Sequence, residues 1–394
     1  MWKHVKKYST VRPKGWRIPL PRGRRWNYLF SFALTLLALP LPAHAQQLVF
    51  SQPLTQRWQY TTENTVNLTP AAHGDSVYLP LAAGELVSLR AADGQMIWKS
   101  EMGGTFSAAP EADERGVYVA TETTETGNNQ TFYQATGALR ALSRKSGVTL
   151  WMHTLPRPIR GALAVSPTTI YAGASDGRIY AFGTESGEVR WVAQSNAPFN
   201  SQPVLHDGRL YLGSEDGALI ALDAQSGQTL WRYQTRDAVR GPVAIANQLV
   251  LFGSADGYVY ALDERTGRAR WHTRTGAGVQ SVAATTYGLI VASLDNFVYL
   301  LSYGRGERVW KHQLVGRIAA QPLTSADSAL FVPLGGDAGI VLALHDGKIL
   351  NSLEVGADGN TAASPILTEN VLLLTTRHGL KAFAAPAVTA NRPL

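Results

Sequence analysis

The sequence predicts an all-β fold: a β-propeller of eight four-stranded antiparallel blades, the last closed by a strand from the N-terminal end of the mature chain. Three observations carry this. Tryptophans recur at 58, 98, 151, 191, 231, 271 and 310, with gaps of 40, 53, 40, 40, 40 and 39 residues. Between them, short alternating apolar runs are punctuated by Asp-Gly and Ser-Gly pairs, as in SQPVLHDGRLYLGSEDGALIALDAQSGQTLW from Ser201 to Trp231. The two ends of the repeat region are complementary, one offering a single strand and the other three. A period near forty with one aromatic per unit marks a ring of small sheets, and four antiparallel strands per unit make one blade.

Residues 1–45 read as a cleaved export signal. Nine basic residues and no acid precede residue 46; an apolar run covers 28–39, and Ala43-His44-Ala45 follows. The whole chain has 36 basic and 29 acidic residues, so removing those nine leaves 27 against 29. The net charge of +7 therefore belongs to the leader and predicts no nucleic-acid partner. The chain has no cysteine, which predicts neither disulfides nor a thiol-linked lipid anchor. Stability then rests on burial.

Residues 46–386 are expected to form the ring and 387–394 a disordered tail. Residues 47–60 supply an orphan strand with Trp58 in the anchor position. Complete units end at Trp98, Trp151, Trp191, Trp231, Trp271 and Trp310, and a seventh puts Asn351 in the tryptophan slot. After it, Ser364-Pro365-Ile366, 371–374 and 379–383 give three strands and stop. Three plus one completes an eighth blade and removes the free edges of an open ring. The gap of 53 reflects an insertion, 121–137, that lengthens a hairpin in the second blade and carries Phe132 and Tyr133.

Within a unit, Asp-Gly and Ser-Gly pairs mark tight turns, where glycine accepts positive φ. They lack the spaced carboxylates of a calcium loop. Each tryptophan is expected to fill the gap between neighbouring blades, its indole N–H on a backbone acceptor. The histidines at 73, 153, 206, 272, 312, 345 and 378 are scattered, and no H-E-x-x-H, G-x-S-x-G or phosphate loop occurs. No catalytic residue, metal site or cofactor site is expected.

The string Ala-x-Asp-x-x-x-Gly-x-x-x-Trp, complete at Ala221-Asp223-Gly227-Trp231 and Ala261-Asp263-Gly267-Trp271, resembles the pyrroloquinoline quinone (PQQ) repeat over residues 47–386. Two groups share it: quinoprotein dehydrogenases, and the outer-membrane assembly factor BamB with related exported propellers. The resemblance to dehydrogenases would imply a vicinal cysteine pair, a calcium site, an aspartate base and long insertions. This chain has no cysteine and little length beyond eight blades.

Nine residues after each anchor the chain is expected to enter the innermost strand at the channel mouth. Those places hold Asn67, Ser107, Arg160, Asn200, Arg240, Gln280, Ala319 and Asn360. The segments Ile159-Arg160-Gly161 and Val239-Arg240-Gly241 resemble the family's Leu-Arg-Gly loop, which implies contact with a BamA-like outer-membrane protein. Arginine beside an exposed apolar residue makes a reasonable hot-spot pair. The expected partner-binding set is Ile159, Arg160, Gly161, Val239, Arg240, Gly241, Asn200 and Gln280. The function expected is that of an exported, non-enzymatic scaffold: a monomeric ring within a complex, in the periplasm or peripheral to the outer membrane. The alternatives are a PQQ or small-ligand sensor and a quinoprotein dehydrogenase.

Overall fold

The computed structural model describes residues 50–125, 134–359, 362–368 and 371–386. The export segment, the tail, Asn360 and the insertion tip with Phe132 and Tyr133 lie outside the described residues.

Eight antiparallel sheets follow one another along the chain. Blade 4 shows the unit. Its inner strand Val204–His206 turns at Asp207-Gly208 into Arg209–Gly213, then into Ala218–Asp223 and the outer strand Thr229–Gln234. Asp207 and Gly208 both have positive φ, the geometry of a two-residue turn matched to strand twist. The middle strands are buried almost throughout, whereas the outer strand alternates. A bulge beside Trp231 turns Leu230 out to solvent.

The ring closes as the two ends predict. Thr55–Thr61 pairs antiparallel with Gly379–Ala384, and the sheet continues to Leu372–Thr376 and Ile366–Leu367. N-terminal and C-terminal strands thus share blade 8. The insertion lengthens the middle hairpin of blade 2, whose strands Val117–Glu125 and Gln134–Leu142 have nine residues each.

The seams explain the forty-residue period. Trp58, Trp98, Trp151, Trp191, Trp231, Trp271 and Trp310 donate to the carbonyls of Ala91, Arg144, Thr184, Ala224, Glu264, Tyr303 and Leu344 at 2.7–3.1 Å. Each acceptor lies in the next blade. The ring of each tryptophan also lies over a turn glycine of that blade. At Gly267 (φ +68°) a Cβ would sit 2.6 Å from Trp231 Cδ2. Glycine is thus required there twice, by backbone conformation and by the indole above it.

At the seam without tryptophan, Asn351 donates to the carbonyls of Phe50 and Gln52 at 3.2 and 2.8 Å. Phe50 is buried beside it with Leu353, Val355 and Phe383. The N-terminal segment supplies the bulk that the missing indole would have provided.

Candidate functional site

Each outer strand is followed by a loop that crosses to the next blade's inner strand, and these loops gather at one end of the channel. The turns between second and third strands lie at the same end, since Thr235 N donates to Gly217 O and Ala255 N to Ala238 O. Asn67, Gly161, Asn200, Arg240, Gly241, Gln280 and Ala319 all line one cavity of about 690 Å³ there. Seven of the residues expected at the mouth or beside it thus come together. Arg160 is in the inner strand Ile159–Val165, whereas Asn200 and Arg240 precede their strands in the entry loops. Ser107 is buried and its hydroxyl has no hydrogen-bond partner.

The arginines are held by acids that the sequence reading did not single out. Arg240 makes a bidentate pair with Glu215, Nε to Oε1 at 2.9 Å and an Nη to Oε2 at 2.7 Å. Asn200 adds a third bond, Nδ2 to Glu215 Oε1 at 2.8 Å. These bonds, Arg240 first, hold the Glu215 carboxyl below the usual carboxylate range against the opposing effect of burial. Arg160 pairs likewise with Glu122 at 2.6 Å. Glu215 falls in Ser214-Glu215-Asp216-Gly217, where the matching turns of blades 3, 5 and 6 have Ser175, Ala255 and Leu294. That contrast was the available signal.

One expectation is corrected. Ile159 and Val239, read as exposed neighbours of the arginines, are 1% and 0% exposed. Each plugs a seam near the channel. Val239 sits against Gly213 of the preceding blade so closely that a Cβ on that glycine would lie 2.4 Å from Val239 Cγ1. The apolar residue of each apolar-Arg-Gly segment anchors it from beneath, and the arginine side chain reaches solvent.

The histidines remain apart. His153, in the outer strand of blade 2, packs across the seam on Phe182 of blade 3, and His272 packs on Tyr258 within blade 5. Among the described residues no group of three or more His, Cys, Asp or Glu is placed to hold a metal ion. An anionic quinone fits this mouth poorly, because Arg160 and Arg240 are already neutralised by carboxylates and Glu111 adds another carboxyl to the channel wall.

Fold and mouth together define a propeller of PQQ-type repeats with a polar, ion-paired channel entrance. The family model described as outer membrane protein assembly factor BamB matches residues 50–138 and 135–305, and the chain belongs to that family. No curated protein matches. Among solved structures, BamB from Moraxella catarrhalis is similar at 18% identity and TM-score 0.59, over 84% of this chain and 86% of that one. The computationally designed Ika8 protein is similar at 15% identity and TM-score 0.69, over 84% and 99%. Quinohemoprotein alcohol dehydrogenase from Comamonas testosteroni is similar at 12% identity and TM-score 0.69, over 84% and 76%. At such identities these structures bear on the fold alone.

Proposed function

We propose that this chain is an exported, non-enzymatic scaffold in outer-membrane protein assembly, working as a monomeric ring in the periplasm. Its channel mouth engages a BamA-like partner through Arg240 and Arg160, with Asn200 and Gln280 on the same rim. Membership of the BamB family supports the assembly role. The observation that carries the site is the Asn200–Glu215–Arg240 cluster, which holds a half-exposed guanidinium in a fixed orientation. A pre-oriented arginine loses less freedom on binding than a mobile one, which favours it as an anchor.

The absence of cysteine and the carboxylates around the channel speak against quinone chemistry. Capture from envelope extracts tests the reading. Wild-type protein is expected to retain a BamA-like partner that Arg160→Glu and Arg240→Glu lose. Equal capture by both variants would show that this face is wrong. Saturable PQQ uptake in an absorbance titration with calcium, together with alcohol-dependent dye reduction, would overturn the non-enzymatic part.

A further inference from the structure

The eight inner strands offer an internal comparison. In each blade one inner-strand residue pairs with a second-strand residue seven positions later. Seven of these places hold Ala71, Ala164, Val204, Ala244, Ala283, Leu323 and Ile366. The eighth, opposite Tyr118, holds Glu111. A carboxyl in an otherwise aliphatic ring breaks the local rule that its seven counterparts obey. Such departures concentrate at functional sites.

Glu111 also stands where two cavities meet. It and Gln202 line both the mouth cavity and a second one of about 670 Å³. Among the described residues no hydrogen bond or ion pair reaches the Glu111 carboxyl. The charged and titratable groups around it are occupied or apart. Asp113 accepts from the Tyr118 hydroxyl, Glu122 and Arg160 pair with each other, and His73, Glu114 and Arg115 make no ion pair with Glu111. Burial alone pushes its carboxyl up to about 7.

We propose that the channel binds an organic ammonium ligand, with Glu111 holding the cationic nitrogen, Gln202 as a second polar contact and Ala71, Leu323 and Ile366 of the mouth cavity beside the hydrocarbon body. A metal cation suits the place less well, since calcium takes six to eight oxygen ligands and a single carboxyl supplies too few. The proposal goes beyond the partner-binding reading, with Glu111 and Gln202 lining the same mouth cavity as Asn200, Arg240 and Gln280.

Calorimetric titration of the protein with hexylammonium chloride at pH 6, in two buffers of different ionisation enthalpy, tests the proposal. Saturable binding is expected, with most of one proton released per ligand as the carboxyl becomes a carboxylate beside the cation. Glu111→Gln and Glu111→Ala should weaken binding by about tenfold or more and abolish the proton release. Glu111→Ala installs the residue that four other blades carry here, so the variant is expected to keep its fold, as read by tryptophan near-ultraviolet dichroism. Equal binding by wild type and both variants, equal binding of 1-hexanol, or no binding of hexylammonium at millimolar concentration would each overturn it.

Discussion

The side-chain amide of Asn351 donates to the carbonyl of Gln52 at 2.8 Å, across 299 positions of sequence. This bond sits at the seam that lacks a tryptophan, where Phe50 is packed into the same interface. The ring is therefore sealed twice by its N-terminal segment, through the strand Thr55–Thr61 and through the residues just before it. Replacing Phe50 by alanine should destabilise the fold by roughly 3–5 kcal/mol, the cost of emptying a large aromatic site. Equilibrium urea unfolding checks this, and a loss below about 1 kcal/mol would mean the seam closes without it.

At the other seams the cost should be shared between two residues. Trp231→Ala is expected to lose roughly 3–5 kcal/mol, chiefly through the cavity, since the Glu264 carbonyl keeps Arg209 as a donor at 2.8 Å. Gly267→Ala should also destabilise, by more than about 1 kcal/mol, because its φ is +68° and its Cβ would press on the indole. In the double variant the steric part disappears, so the two losses should fall short of additive. Strict additivity would deny the contact.

Arg240 and Glu215 can be separated from partner binding by exchanging them. Arg240→Glu should remove the ion pair at little cost to stability, about 1 kcal/mol or less for a pair this exposed. Combining it with Glu215→Arg restores opposite charges within the ring but leaves an acid on the rim. Capture of the partner should stay lost in the exchanged protein. Recovery of capture would show that the pair merely shapes the loop.

Glu111 sets a pH dependence with a definite sign. Its folded-state pKa of about 7 lies above the ordinary 4.5, so the folded state binds the proton more tightly than the unfolded chain. Below about 4.5 both states are protonated and ionisation makes no difference. As pH rises through 4.5 to 7 the unfolded chain ionises first, and stability is lost by roughly 3 kcal/mol at most. Glu111→Ala should therefore gain on wild type by up to roughly 3 kcal/mol between pH 4 and pH 8 in parallel urea titrations. An equal difference at both pH values would contradict the assignment.

Much of the fold was legible because its determinants repeat. Tryptophan, turn glycine and strand alternation recur with one spacing, so each copy corroborates the others, and the unmatched strand around Trp58 pointed to closure in blade 8. The site was harder to read because its residues are the ones that do not repeat. Glu215 stood out only against the matching turns of its neighbours, and Glu122 and Glu111 become visible only when strand register shows which positions are equivalent. Ile159 and Val239 were misplaced for a related reason. A short apolar residue before an arginine reads as loop surface until the glycine beneath it, Gly213 in the case of Val239, reveals a socket. Asn351 looked like a degenerate anchor, and its partner lay at the far end of the sequence.

Closure of the ring by the N-terminal strand underlies every placement above, and the absence of native cysteine makes it directly measurable. Gln59 and Lys381 face each other across the outer pair of blade 8, within the span a disulfide bridges. Oxidation of the Gln59→Cys, Lys381→Cys double variant, followed by peptide mass spectrometry, should give an intramolecular link joining the first and last strands in a monomer. Free thiols, or links formed only between molecules, would contradict a ring of eight blades sealed in this way.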